Sequence, residues 1–335
     1  RLFMEKYVEL TREYRGELLD LIHMGNLCVV DKQGKVLYAK GDPENETCYR
    51  SASKPLQALP VIVRNLDKKF GLTEGESTIF SGSHAGEKIH IDVLESIAKK
   101  AGLQEKDMIM LPTWPANEAY KLEIIRGGGA PRKFYHNCAG KHLALMMLQR
   151  ELTGSVEDYW KIESPAQQEV KATICKMSET QDAQVALDGC GVPVFIVPLK
   201  NIAVAYKNLA CIDTIQDEAL RAAVKRYVPT LHEHPLMVRG TGFICAIMNM
   251  DPNIVAKGGA NGVYGFGLKK QQLGVSFKLA DGTETSWPII VLQVLKQLDA
   301  LTPEHEARLL SLMPYHIYND NNSLAGRREV SFSLK

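Results

Sequence analysis

The segment Arg50-Ser51-Ala52-Ser53-Lys54-Pro55 places a serine three residues before a lysine, at the mouth of an apolar stretch. One helical turn apart, such a pair can touch. A serine hydroxyl is a poor nucleophile until a base takes its proton, and a lysine is that base when burial or a neighbouring cation lowers its pKa. The plain alternative is a capping serine beside a solvated lysine. Further along, Ser81-Gly82-Ser83-His84-Ala85-Gly86-Glu87 sets another serine in a glycine-punctuated loop, and Ala256-Lys257-Gly258-Gly259 sets another lysine before glycines. Two lysines in one site depress each other's pKa, which favours Lys54 as a neutral base. His84, His136 and His142 flank the same stretches, either as orienting groups or as loop hydrogen-bonders.

These residues need elements to hold them. Residues 27–30 and 35–39, around Asp31-Lys32-Gln33-Gly34, predict a β-hairpin. Residues 55–65 predict a buried helix with Pro55 in its first turn. Helical periodicity recurs over 91–101, with Leu94, Ile97 and Ala98 on one face, and over 141–151, with Leu143, Leu145, Met146, Met147 and Leu148. Residues 165–178 predict a third helix capped by Ser164. Strands are expected at 194–198, 203–206 and 243–248, with a hairpin from 274–278 to Ser286 turning at Asp281-Gly282 and a closing helix at 288–298. Strands near both ends with helices massed between predict an α/β chain of the α+β type, an antiparallel sheet flanked by helices. The expectation is a single catalytic domain over 1–335 with a helical subregion at about 60–180.

The 335 residues carry 40 Lys plus Arg against 39 Asp plus Glu. No strong field exists to hold nucleic acid or an anionic membrane surface, so a small-molecule partner fits better. Seven cysteines, at 28, 48, 138, 175, 190, 211 and 245, are an odd number without framework spacing. That suits a reducing compartment, and a cytoplasmic location is expected. Residues 1–10 are charged throughout and no run reaches the roughly 18 apolar residues that cross a bilayer, so a soluble protein is expected.

The order serine-x-x-lysine, loop serine, late lysine before glycine resembles that of the penicillin-recognising serine enzymes. Closer still, four stretches in order resemble the signature blocks of the asparaginase II family. They are Arg50-Ser51-Ala52-Ser53-Lys54-Pro55-Leu56-Gln57-Ala58-Leu59-Pro60, Ser83-His84-Ala85-Gly86-Glu87, His136-Asn137-Cys138-Ala139-Gly140-Lys141-His142 and Asp188-Gly189-Cys190-Gly191-Val192-Pro193. The likeness spans about residues 10–298 and implies a fold similar to serine β-lactamases and glutaminases. It also implies that the chain hydrolyses the side-chain amide of L-asparagine, as a homodimer.

Carried over by position, the paired serine-lysine machinery falls on Ser51 with Lys54 and on Ser83 with Lys257. The family's zinc, held by two cysteines and a lysine, falls on Cys138, Cys190 and Lys141. Thiolates are good zinc ligands, whereas a lysine must first lose its proton; without the resemblance both cysteines read as buried structural thiols. Asp188 is the candidate for the substrate's α-amino group, Arg50 for its carboxylate or for Asp188, and Asn137 and His84 complete the expected binding set. In this reading Ser51 attacks the amide carbon, Lys54 accepts its proton, and Ser83 with Lys257 protonates the leaving nitrogen. Three stretches depart from the family pattern: Leu111-Pro112-Thr113-Trp114, Gly242-Phe243-Ile244-Cys245, which lacks an arginine and an aspartate, and Gly258-Gly259-Ala260-Asn261-Gly262. The rivals are another serine acyl-transfer enzyme, such as a glutaminase, β-lactamase or peptidase, and a non-catalytic zinc-binding protein.

Overall fold

A computed structural model describes residues 6–335, so of the charged stretch at 1–10 the first five residues lie outside the described residues. The β-prone residues before position 50 and after position 250 meet in one antiparallel sheet. Its strands are β1 (Val8–Arg15), β2 (Leu18–Val30), β3 (Val36–Lys40), β4 (Ile254–Gly258), β5 (Val263–Leu268), β6 (Leu273–Leu279), β7 (His316–Tyr318) and β8 (Leu324–Val330). They lie in the order β7-β8-β1-β2-β6-β5-β4, with β3 also on β2. The 13-residue β2 carries the register: residues 18–25 pair with β1, and residues 25–30 pair with β6 and, from Leu27 on, with β3. The expected hairpin at 27–39 is present, its turn held by Asp31 Oδ1, which accepts the N–H groups of Gln33 and Lys35 at 2.9 Å each.

The chain divides into two units. The first gathers residues up to Ala52, Val197–Thr214 and Asn253–Lys335, and holds the sheet. On one face of the sheet the helix Leu199–Ala210 sits where side chains are missing: a Cβ on Gly265 would meet the Tyr206 ring at 2.4 Å, one on Gly267 the Tyr206 carbonyl at 2.2 Å, and one on Gly274 the Ala203 carbonyl at 2.0 Å. Glycines let this helix dock backbone to backbone. Tyr264 and Phe277, register partners on β5 and β6, stack at 5.5 Å, and the Trp287 ring of helix Trp287–Gln297 meets Tyr264 edge-on at 5.0 Å.

The second unit, Ser53–Ile196 and Ile215–Pro252, is mainly helical. The helix Lys54–Val63 is apolar nearly all round and buried from Lys54 to Ile62, as a core helix must be. Against it pack the helices Ala139–Thr153, Pro165–Ser178 and Glu218–Glu233. A short hairpin of Gln184–Leu187 and Pro193–Pro198 completes the unit's regular structure around Cys190.

The antiparallel sheet with flanking helices is the architecture expected from the sequence. Three local expectations are corrected. Residues 203–206 lie inside the helix Leu199–Ala210, because Leu199, Ile202, Ala203, Tyr206 and Leu209 repeat at helical spacing around that short β-prone run. Residues 243–248 belong to the helix Ile244–Asn249, a short apolar run that periodicity alone cannot assign. The turn at Asp281-Gly282 forms, yet no strand follows it: both edges of β6 are already filled, by β2 and by β5. Among the described residues no helix is long and apolar enough to cross a membrane.

The glycine slot has a measurable consequence. Gly274→Val pushes a branched side chain into the Ala203 carbonyl and the Lys207 backbone, and should lower the unfolding free energy by about 2 kcal/mol or more in urea titrations. An unchanged midpoint would show that the helix does not rest on this strand.

Candidate active site

Pro55 has no N–H to leave unsatisfied in a first turn, so the core helix begins at Lys54 and carries its amine inward with it. Lys54 is 0% exposed. Its Nζ lies 2.9 Å from Gly82 O, 2.8 Å from Ser83 Oγ and 3.5 Å from Asn137 O. Burial lowers its pKa, against the pull of the Cys138 sulfur and with help from the Lys141 charge. A neutral amine has two N–H groups and one lone pair. Carbonyls can only accept, so Nζ donates to Gly82 O and Asn137 O; it also donates to Ser83 Oγ, and when the amine is neutral that hydroxyl can donate to its lone pair instead.

The loop carrying Ser83 is held from both sides. Its N–H donates to Val238 O at 2.9 Å, and its carbonyl accepts from Arg239 Nη1 at 2.5 Å. Position 82 is glycine for space, since a Cβ there would sit 2.3 Å from Met237 O. His90 accepts the Glu87 N–H at Nδ1, 3.1 Å away, and donates from Nε2 to Leu236 O at 2.8 Å. It is therefore neutral, and burial lowers its pKa. The Nδ1 of His84 likewise accepts the Gly86 N–H at 3.1 Å, which leaves a proton on Nε2 with no partner. His84 is fully buried, and burial holds its pKa well below the usual histidine value.

A second cluster adjoins the first. Cys138 ends the loop before helix Ala139–Thr153, and Lys141, in the first turn, brings its Nζ to 3.1 Å from Cys190 Sγ. Cys190 sits in a turn closed by Asp188 N–H to Val192 O at 2.9 Å and Gly191 N–H to Asp188 O at 3.0 Å, with Gly191 at φ +93°. The pairing of the two sulfurs drives the Cys138 pKa well down, helped by the Lys54 and Lys141 charges, and the Cys190 pKa up, helped by burial. Burial opposes the Lys141 charge, but Cys190, Cys138 and Asp188 outweigh it and raise its pKa. Next to it, His142 Nδ1 accepts from Tyr159 Oη at 2.7 Å, because that oxygen is already the acceptor of the Ile109 N–H at 2.9 Å.

In the first unit, Ser51 lies in the 3-10 turn Arg50–Ser53, and Lys257 on β4 is 1% exposed with Nζ donating to Gly258 O at 2.6 Å. Tyr206 Oη donates to Ala52 O at 2.6 Å and lies 3.4 Å from Lys257 O. A Cβ on Gly259 would meet Tyr49 O at 2.6 Å and Arg50 Cβ at 3.0 Å. Thus the Ser51 turn and the Lys257 strand share one neighbourhood in that unit, while Lys54, Ser83 and Asn137, and likewise Cys138, Lys141 and Cys190, come together in the other. Arg239, His90 and Tyr159 went unread; the Val238-Arg239-Gly240-Thr241-Gly242 turn was the available signal for the first.

A family model for L-asparaginase II matches residues 11–330. The chain belongs to the L-asparaginase II family. Membership makes it a hydrolase acting on amides, with a small-molecule substrate. No curated protein matches the chain. Among solved structures, a β-lactamase from Mycobacterium bovis is 15% identical with a TM-score of 0.42, over 82% of this chain and 94% of that one. A putative β-lactamase from Bacteroides dorei is 15% identical with a TM-score of 0.46, over 82% and 93%. Mglu in its glutamate form is 16% identical with a TM-score of 0.36, over 83% of this chain but only 61% of Mglu.

The lowered pKa of Lys54 sets a sign for this family member's stability. The folded chain gives up a proton that the unfolded chain keeps up to the ordinary 10.5, so stability rises with pH across that window. Lys54→Met removes the slope, and denaturation curves of the two proteins should therefore shift in favour of wild type as pH rises towards 10.5. Curves that stay parallel would mean that the buried amine is charged in the fold.

Proposed function

We propose that the protein hydrolyses the side-chain amide of L-asparagine to L-aspartate and ammonia through a serine acyl-enzyme. The observation that carries this is a fully buried lysine of lowered pKa with its nitrogen 2.8 Å from the Ser83 hydroxyl, the pair that moves protons in this reading. In this reading Ser51, Lys54's partner in the Ser-x-x-Lys motif, carries the acyl group. Lys54 accepts the proton released when the serine oxygen bonds to the amide carbon, and Ser83 hands a proton from Lys54 to the departing nitrogen. The C–N bond breaks and ammonia leaves; water then cleaves the ester and restores the hydroxyl. Lys257 is the second lysine of the set, and in this reading it joins Ser83 in protonating the leaving nitrogen.

Cys138, Cys190 and Lys141 fit a zinc ion by the chemistry of their donors: two buried sulfurs sharing one proton, and an amine 3.1 Å from one of them. When bound, zinc would polarise substrate polar groups and stiffen the pocket wall. These three residues must shed protons to hold it, so its affinity should rise with pH. Asp188 takes the α-amino group in the same reading, with Asn137 and His84 around it. The assembly is a homodimer, for which exposed Leu18, Leu19, Leu21 and Ile22 on β2 offer apolar surface, in the reducing cytoplasm that seven free cysteines suit.

Ser51→Ala should cut ammonia release from asparagine by about four orders of magnitude or more while the unfolding midpoint holds, and Ser83→Ala should cut it by less. Mass spectrometry of the acid-quenched wild type would find the acyl group on the Ser51 peptide; an adduct on Ser83 would exchange the two roles. Equal rates on glutamine would widen the substrate class.

Purified protein should carry about one zinc per chain, and the Cys138→Ser, Cys190→Ser double variant should carry none. Equal metal in both, by elemental analysis, would place the ion elsewhere.

A further inference from the structure

Arg239 stands beside the Ser83 loop, and among the described residues no carboxylate forms an ion pair with it. Its Nη1 donates to Ser83 O at 2.5 Å, and its guanidinium carbon lies 4.4 Å from the centroid of the Phe243 ring. One bond and one stacking contact fix the plane of the group. A guanidinium has five N–H donors, and among the described residues Ser83 takes the only hydrogen bond that Arg239 makes. The nearby carboxylate, Glu87, bonds the turn and not the guanidinium: its oxygens accept the Thr241 N–H at 3.0 Å and the Thr241 hydroxyl at 3.3 Å. That clamp also sets the turn that presents the arginine. Gly240 adopts φ +137°, and a Cβ there would sit 2.8 Å from Glu87 Oε1 and 2.9 Å from Ala85 Cβ.

A half-buried, pre-oriented arginine with open donors and no counter-ion is suited to a planar anion from outside the chain. The neighbouring His84 adds a second observation, a fully buried Nε2–H without a partner in the loop that Arg239 holds. We propose that Arg239 is the specificity residue of the Ser83 centre, taking the free carboxylate of the substrate, so that the enzyme acts on small amides that carry one. The inference deepens the amide-hydrolysis reading and rests on it. It also supplies a guanidinium where Gly242-Phe243 leaves none: Phe243 is the platform and Arg239 the charge. The bond to Ser83 O ties carboxylate capture to the loop that bears the reacting hydroxyl.

The test uses the intact protein with two probes. L-Aspartate, the expected product, reports carboxylate binding by calorimetry without any turnover; 3-aminopropanamide, asparagine without its α-carboxylate, reports the amide chemistry alone. In Arg239→Met, aspartate should bind about 10- to 100-fold more weakly, and KM for asparagine should rise by a similar factor, the range expected for a charged hydrogen bond. Any fall in kcat from loosening the Ser83 loop should appear equally with 3-aminopropanamide, whose KM should stay within a few-fold of wild type. Arg239→Lys, which can keep the bond to Ser83 O, should recover part of the loss, and Phe243→Leu should fall between. Unchanged aspartate affinity in Arg239→Met, or a wild type that binds no aspartate, overturns the proposal. A wild type that binds aspartate through Arg239 yet releases ammonia from neither amide would instead overturn the amide-hydrolysis reading and leave the anion site standing.

Discussion

An amine at the first residue of a wholly buried helix is the constraint around which the second unit is organised. An isolated ammonium in a protein interior costs several kcal/mol even after relaxation, so Lys54 is stable there only as a well-bonded, readily deprotonated group. Two carbonyls and a hydroxyl meet that need. Each then demands support of its own: Gly82 must lack a side chain, Ser83 must be gripped at both backbone ends, and Asn137 must hold its carbonyl toward the interior. Much of the unit's polar interior follows from one nitrogen.

Charge in that interior is balanced locally. Nearby sulfur raises the Lys141 pKa against burial, and the pairing with Cys190 lowers that of Cys138. His84, His90 and His142 remain neutral, each with Nδ1 committed as an acceptor, so three imidazoles serve as fixed dipoles and not as titrating bases. In the proposed reaction this leaves the lysine as the proton acceptor. It also separates the chemistry from anion recognition, which falls to a guanidinium that cannot be deprotonated.

Lys54 and Ser83, singled out in the sequence by short motifs, meet in the structure, while Ser51 lies in the 3-10 turn of the other unit. Pro55 fixes where the helix of Lys54 starts. By contrast β1, β7 and β8 were missed because they form a ribbon with both faces partly exposed, as in the charged Glu329-flanked run of β8, and such strands lack apolar alternation. Helix Leu199–Ala210 hid behind its β-prone centre. Arg239 escaped because an arginine before glycines reads as a solvated turn; only the Phe243 ring, four residues on, and the Glu87 clamp, distant in sequence, single it out.

The interleaving of the two units bears on how the chain folds as it is made. Every residue of the unit holding Lys54 and Ser83 has been synthesised once the ribosome passes Pro252, whereas β2 of the other unit still lacks β6, and β1 still lacks β8. At roughly 5 to 20 residues per second the nascent chain spends several seconds with the helical unit fully emerged and a half-paired β2 edge exposed. That interval is when an open strand invites pairing with another chain. The charges of β1, Glu9, Arg12, Glu13 and Arg15, are a defence suited to those seconds.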